Sequence, residues 1–111
     1  MSAPGGMHAT AEQTTRGGRP AKPMLVFFYA PTSGRCRRTD GHLAQALQHR
    51  GNHDTFQVVR VNVEDRPDLA ERFRVSEVPT LLVVDGRRVA RRIVLPRGCR
   101  DLERDLAKWL R

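Results

Sequence analysis

The chain has 111 residues and a formal net charge of +8 at pH 7, which fits one small domain and no more. A chain of this length buries roughly 65% of its unfolded surface, so it folds alone with limited margin. No run approaches the ~20 apolar residues of a membrane span. The opening MSAPGGMHATAEQTTRGGRPAKP lacks the apolar stretch of a secretory signal, and two cysteines, Cys36 and Cys99, make no disulfide framework. The expectation is a cytoplasmic protein without membrane association.

The basic surplus invites a nucleic-acid reading, but its make-up argues otherwise. Of the 20 basic residues, all but Lys22 and Lys108 are arginine, a skew that reflects GC-rich coding rather than phosphate binding. A single Trp and a single Tyr supply no stacking platform for bases. Charge speaks to solubility before it speaks to function, so nucleic acid is disfavoured as a partner and the surplus is read as solvated surface.

Residues 1 to about 23 hold Gly, Pro, Thr, Ala and Gln with no periodic apolar face. They cannot bury enough to offset their conformational entropy and are expected to be a disordered tail, with Met7 an alternative start. The domain is placed at residues 24–111. Its first element is MLVFFYA, a short continuous apolar run suited to a strand buried on both faces. PTSG breaks the run, and a helix follows from about Gly34 to His49. Leu43, Ala46, Leu47 and Arg50 recur there at helical spacing, and Gly51 is available as its C-terminal cap. FQVVRVNV, from Phe56 to Val63, alternates and is β-branched, the pattern of a second strand. Pro67 opens a short helix through about Phe73, where its missing N–H has no helical partner to lose. TLLVV is a third strand, Asp85–Gly86 a hairpin signal, and RRVARRIVL the return strand. From about Arg100 a final helix places Leu102, Leu106, Trp109 and Leu110 on one stripe. The order β-α-β-α-β-β-α describes an α/β fold with a mixed sheet, a right-handed crossover between its first two strands, and helices on both faces.

The chemistry concentrates in FYAPTSGRC. Ser33 precedes a helix and is suited to cap its free N–H groups. It has no base within reach to make it a hydrolytic nucleophile, because His8, His42, His49 and His53 lie in the tail, well down the helix or beyond it. The same histidines lack the cysteine or carboxylate that would complete a metal set, so no metal site is expected. Cys36 falls in the first turn, among Arg35, Arg37 and Arg38. Positive surroundings would activate it as a nucleophile, whereas burial would leave it an inert small hydrophobe. Cys99 opens the last helix, and its start is not expected within the ~7 Å of Cys36 that a disulfide needs.

Four segments in this order resemble the thioredoxin family over residues 24–111: LVFFYAPTSGRC, VVRVNVEDRPDLAERF, VSEVPTLLVVDGRRV and ARRIVLPRGCRDLERDL. The resemblance implies a thioredoxin-like fold, trimmed to four strands because the polar tail offers no counterpart of the family's first strand and helix. It puts Ser33 and Cys36 on the two redox positions and implies a cis peptide before Pro79. Thr32, Gly34 and Arg35 on one side, and Val78, Pro79 and Leu95 on the other, would line a groove for an extended peptide. The departures are concentrated at the site. Ser33 replaces the attacking cysteine, Thr32 the preceding tryptophan, Arg35 the intervening proline, and Phe27 the buried carboxylate of the first strand. Two functions follow. In the first, Cys36 acts as a lone thiol that forms mixed disulfides with a thiol- or disulfide-bearing protein, resolved by glutathione or another small thiol. In the second, a redox-silent module binds a partner peptide in the groove. Neither implies a cofactor.

Overall fold

MLVFFY leaves no polar face to solvate, and it lies inside a sheet. A computed structural model of the chain describes residues 22–110. There β1 (Met24–Tyr29) is flanked by β2 (Gln57–Asn62) and β3 (Thr80–Asp85), with β4 (Arg88–Val94) outside β3, giving the order β2-β1-β3-β4. β1 runs parallel to β2 and antiparallel to β3, and β3 antiparallel to β4. All but Lys22 and Pro23 of the segment expected to be a tail lie outside the described residues.

Alternation along β1 divides its side chains between two cores. Leu25 and Phe27 join Leu81, Val83 and Ile93 on one face, under α1 (Gly34–Gln48) and α3 (Cys99–Leu106), which contribute Leu43, Ala46, Leu47, Leu102 and Leu106. Val26 and Phe28 join Val61 and Leu82 on the other face, where Leu69 and Phe73 of the α2 region (Pro67–Arg72) close over them. Helices therefore cover both faces, and the thin domain gains two apolar layers rather than one.

Register fixes which ends meet. Tyr29 pairs with Asn62, Phe28 with Thr80, and Thr80 with Val94. The loops after β1, β2 and β4 and the approach to β3 thus share one end of the sheet. That end holds the candidate site.

Three local expectations are corrected. α1 ends at Gln48 rather than being capped by Gly51; the chain continues through a 3-10 stretch, His49–Asp54, with Gly51 inside it at φ +68°. The hairpin loop is Gly86–Arg87, one residue later than expected, since Asp85 pairs with Arg88. Gly86 takes φ +70°, the left-handed conformation that suits the first position of a II′-type loop. This frees the Asp85 carboxylate to accept from the Trp109 indole N–H at 3.3 Å. α3 stops at Leu106, and Trp109 and Leu110 pack on the core from the turn beyond it rather than from the helix.

Candidate functional site

β1 leaves the sheet at Tyr29, and the Ser33 N–H donates to the Ala30 carbonyl at 3.1 Å to close the turn. Ser33 is then extended (φ −87°, ψ 117°), and its Oγ accepts from the Cys36 N–H at 3.1 Å. This is an N-cap, and it occupies the serine oxygen with one of the helix's free donors. Ser33→Ala is expected to lower stability by about 1 kcal/mol, measured by denaturant unfolding.

The cap seats Cys36 one turn in, facing the core. Cys36 is 2% exposed and belongs to the cluster that contains Phe27, Leu43 and Leu81. Both cysteines are free thiols. Attack on a disulfide requires the sulfur to reach its target along the S–S axis, and a thiol under this much packing is shielded from it.

At the same end of the sheet, just before β3, Val78 and Pro79 are joined by a cis peptide. Pro79 is buried and Val78 half-buried. The Thr80 hydroxyl donates to the Glu77 carbonyl, and the Leu95 N–H donates to the Pro79 carbonyl at 3.0 Å. These bonds tie the loop to the strand ends around it. They leave the backbone N–H and C=O of Val78 without a hydrogen-bond partner among the described residues. Leu95 sits at φ 51°, where a leucine rarely goes. Thr32 and Arg35 are exposed and Gly34 is half-buried, and the strand register puts these three and Val78, Pro79 and Leu95 at the same end of the sheet.

Cys99 packs against the edge of the core and lines a shallow depression with Gln45, Gln48, His49, Arg100 and Glu103. Burial pushes its thiol pKa up, and the nearby Glu103 carboxylate adds to this by charge and by hydrogen bonding. Glu103 Oε2 also lies 3.1 Å from His49 Nδ1, joining α3 to the end of α1. The folded state holds the Cys99 proton more tightly than the unfolded chain does. Its contribution to stability is therefore complete below the ordinary thiol range and is lost as pH rises through the elevated value. Alkylation of Cys99 by iodoacetamide is accordingly expected to set in at higher pH than for a free thiol. Glu103→Gln should bring that onset part of the way back, leaving the share due to burial; an unchanged onset would contradict the assignment of Glu103. Among the described residues, no three His, Cys, Asp or Glu side chains are grouped as a metal ion would require.

The left-handed Leu95 had no sequence signal. Arg37 and Arg38, three and four residues past Gly34 on the helix, bring guanidinium nitrogens to 3.7 and 3.5 Å from the point a Cβ on Gly34 would occupy.

Comparison with known proteins agrees with this architecture. The family model "Thioredoxin" matches residues 10–109, beginning within the segment expected to be a tail. The bifunctional thioredoxin reductase/thioredoxin of Mycobacterium leprae is 33% identical over 86 residues, 78% of this chain and 18% of that protein. The thioredoxin of Streptomyces clavuligerus is 34% identical over 73 residues, 66% of this chain and 65% of that one. The chain thus spans less than two thirds of either relative. The crystal structure of the germline-specific thioredoxin Deadhead from Drosophila melanogaster superposes with a TM-score of 0.75 at 20% identity, covering 99% of this chain and all of that one. Together with the four-stranded mixed sheet and its flanking helices, the match over most of its length establishes that this chain belongs to the thioredoxin family.

Proposed function

We propose that this protein is a thioredoxin-fold module that holds an extended segment of a partner protein in the groove between Thr32–Arg35 and Val78–Pro79, without completing dithiol exchange. The burial of Cys36, at 2% exposure, carries the reading. Dithiol exchange proceeds in two attacks. A thiolate displaces one sulfur of the substrate disulfide, giving a mixed disulfide, and a second thiol then displaces the first. At position 33 a hydroxyl, engaged in a cap, stands where the first attack would start. The thiol left at the site is packed into the core.

Recognition does not need either thiol. The N–H and C=O of Val78, without a partner among the described residues, offer an extended chain the pair of bonds that an added strand would make, and half-buried Val78 and Leu95 offer it apolar contact. The partner is read as a thiol- or disulfide-bearing protein or peptide, in keeping with the family. No helix among the described residues is long and apolar enough to cross a membrane, and the free cysteines fit a reducing, cytoplasmic setting. Residues 24–111 are read as the working domain.

The place of Cys36 in the first turn of α1 favours a second reading, in which a partner's approach uncovers it and a mixed disulfide forms, to be released by glutathione. Insulin reduction driven by dithiothreitol tests the main reading. The expected rate is that of dithiothreitol alone, and catalytic acceleration by the wild-type chain would overturn it.

A further inference from the structure

We infer that the segment held in the groove is acidic, with a carboxylate seated between the guanidinium groups of Arg37 and Arg38 above Gly34. The inference rests on the groove reading and names the chemistry of its occupant. Like charges repel, yet these two guanidinium groups converge on one point at the turn, each within 3.7 Å of where a Gly34 side chain would begin. Neither has a carboxylate partner among the described residues, and neither does exposed Arg35 beside them. Arg72, Arg74, Arg87, Arg88, Arg97 and Arg100 also lack a carboxylate partner among the described residues, so what sets Arg37 and Arg38 apart is their shared approach to Gly34. Arg60, Arg66, Arg91 and Arg104 are ion-paired, and Arg92 donates to the Phe73 and Arg74 carbonyls.

The helix itself supplies no relief. Its first turn holds no acidic residue, although that end carries the positive pole of the helix dipole, where cations are unfavourable and anions favourable. Asp40, three residues past Arg37 and placed to pair with it, is instead engaged by Arg60 at 2.8 Å. The end of the sheet that faces a partner thus presents convergent positive charge that nothing among the described residues neutralises. Glycine at position 34 keeps the space between the guanidinium groups open. A carboxylate entering there gains two charge-assisted hydrogen bonds and the dipole of α1. A peptide carboxylate suits the site better than a free anion if the Val78 backbone, at the same end of the sheet, fixes the chain that carries it.

The test uses the full chain and two fluorescein-labelled extended peptides, TVEVEVTG and its counterpart TVQVQVTG, followed by anisotropy and by backbone amide shifts. The acidic peptide is expected to bind about threefold to tenfold more tightly at low salt. That advantage should vanish in Arg37→Gln/Arg38→Gln while affinity for the glutamine peptide stays the same, and it should shrink as salt screens the pair. Both peptides should shift the Thr32, Val78 and Leu95 amides. Equal affinities, with those amides shifted, would overturn the acidic assignment and leave the groove reading standing. Tighter binding of the acidic peptide without shifts at Val78 and Leu95 would overturn the groove reading and this inference with it. Failure of either peptide to bind at millimolar concentration would do the same. Inhibition by sulfate equal to that by the acidic peptide would reduce the site to a general anion trap and also overturn the proposal.

Discussion

Ser33→Cys is expected to give the chain a dithiol reductase activity well above that measured for the wild type. The side chain at position 33 already points into the first turn of α1, its oxygen 3.1 Å from the Cys36 N–H. A thiol there would therefore lie beside Cys36 with the geometry the fold imposes. The helix N-terminus and exposed Arg35 would favour its thiolate. A thiolate also accepts from the Cys36 N–H, so the lost serine cap should cost no more than about 1 kcal/mol. Attack by the introduced thiol, followed by release through Cys36, would complete a two-step exchange. Burial of Cys36 does not block this second step, which is intramolecular and needs reach rather than solvent exposure. Turnover should remain below that of a full thioredoxin, because Phe27 supplies no buried carboxylate to assist proton transfer. Insulin turbidity with dithiothreitol reads the gain. A variant that neither accelerates insulin reduction nor forms an intramolecular disulfide on oxidation would show that position 33 does not face Cys36 as the structure has it.

Phe27→Asp, which installs the family's carboxylate, is expected to unfold much of the protein at neutral pH rather than restore chemistry. Phe27 is 2% exposed, packed in the cluster of Leu25, Cys36 and Leu81. Truncating such a ring costs about 3–5 kcal/mol, against a total of about 5–15 kcal/mol for a domain. The carboxylate adds a second penalty. The side chains packed around Phe27 are apolar, so burial would raise the carboxylate's pKa and hold it neutral. The sign follows. The folded state favours the protonated acid, so the variant is most stable below the ordinary aspartate range and loses stability as pH rises through the elevated value. Circular dichroism melts should give a Tm far below wild type at neutral pH and a smaller deficit under mild acid. A Tm near wild type at neutral pH would contradict the packing assigned to Phe27.

The strands were legible because composition and periodicity agree. MLVFFY admits only a strand covered on both faces, TLLVV likewise, and Pro67 marks the first turn of a helix that begins on it. Ser33 as a cap was legible too, since a hydroxyl before a helix has few other uses. What escaped depends on contacts distant in sequence or on backbone choices that side-chain identity does not announce. Leu95 at φ 51° carries no glycine or asparagine to signal it. His49 and Glu103 meet from 54 residues apart. The hairpin slipped one residue because Asp-Gly suits two registers, and in the observed one Asp85 pairs with Arg88 and accepts from Trp109. The burial of Cys36 was undecidable from local sequence. Its arginine neighbours suggest a reactive thiol, and only the packing of α1 against β1 and β3 turns the sulfur inward.

That burial is the point on which the functional account stands, and one measurement reaches it directly. In Cys99→Ala protein Cys36 is the sole thiol, so the rate of its reaction with Ellman's reagent, native against denaturant-unfolded, reports the accessibility of a single sulfur. The account predicts native labelling slower by orders of magnitude, limited by opening of the domain. Native labelling as fast as in the unfolded chain would contradict it and make Cys36 a working thiol.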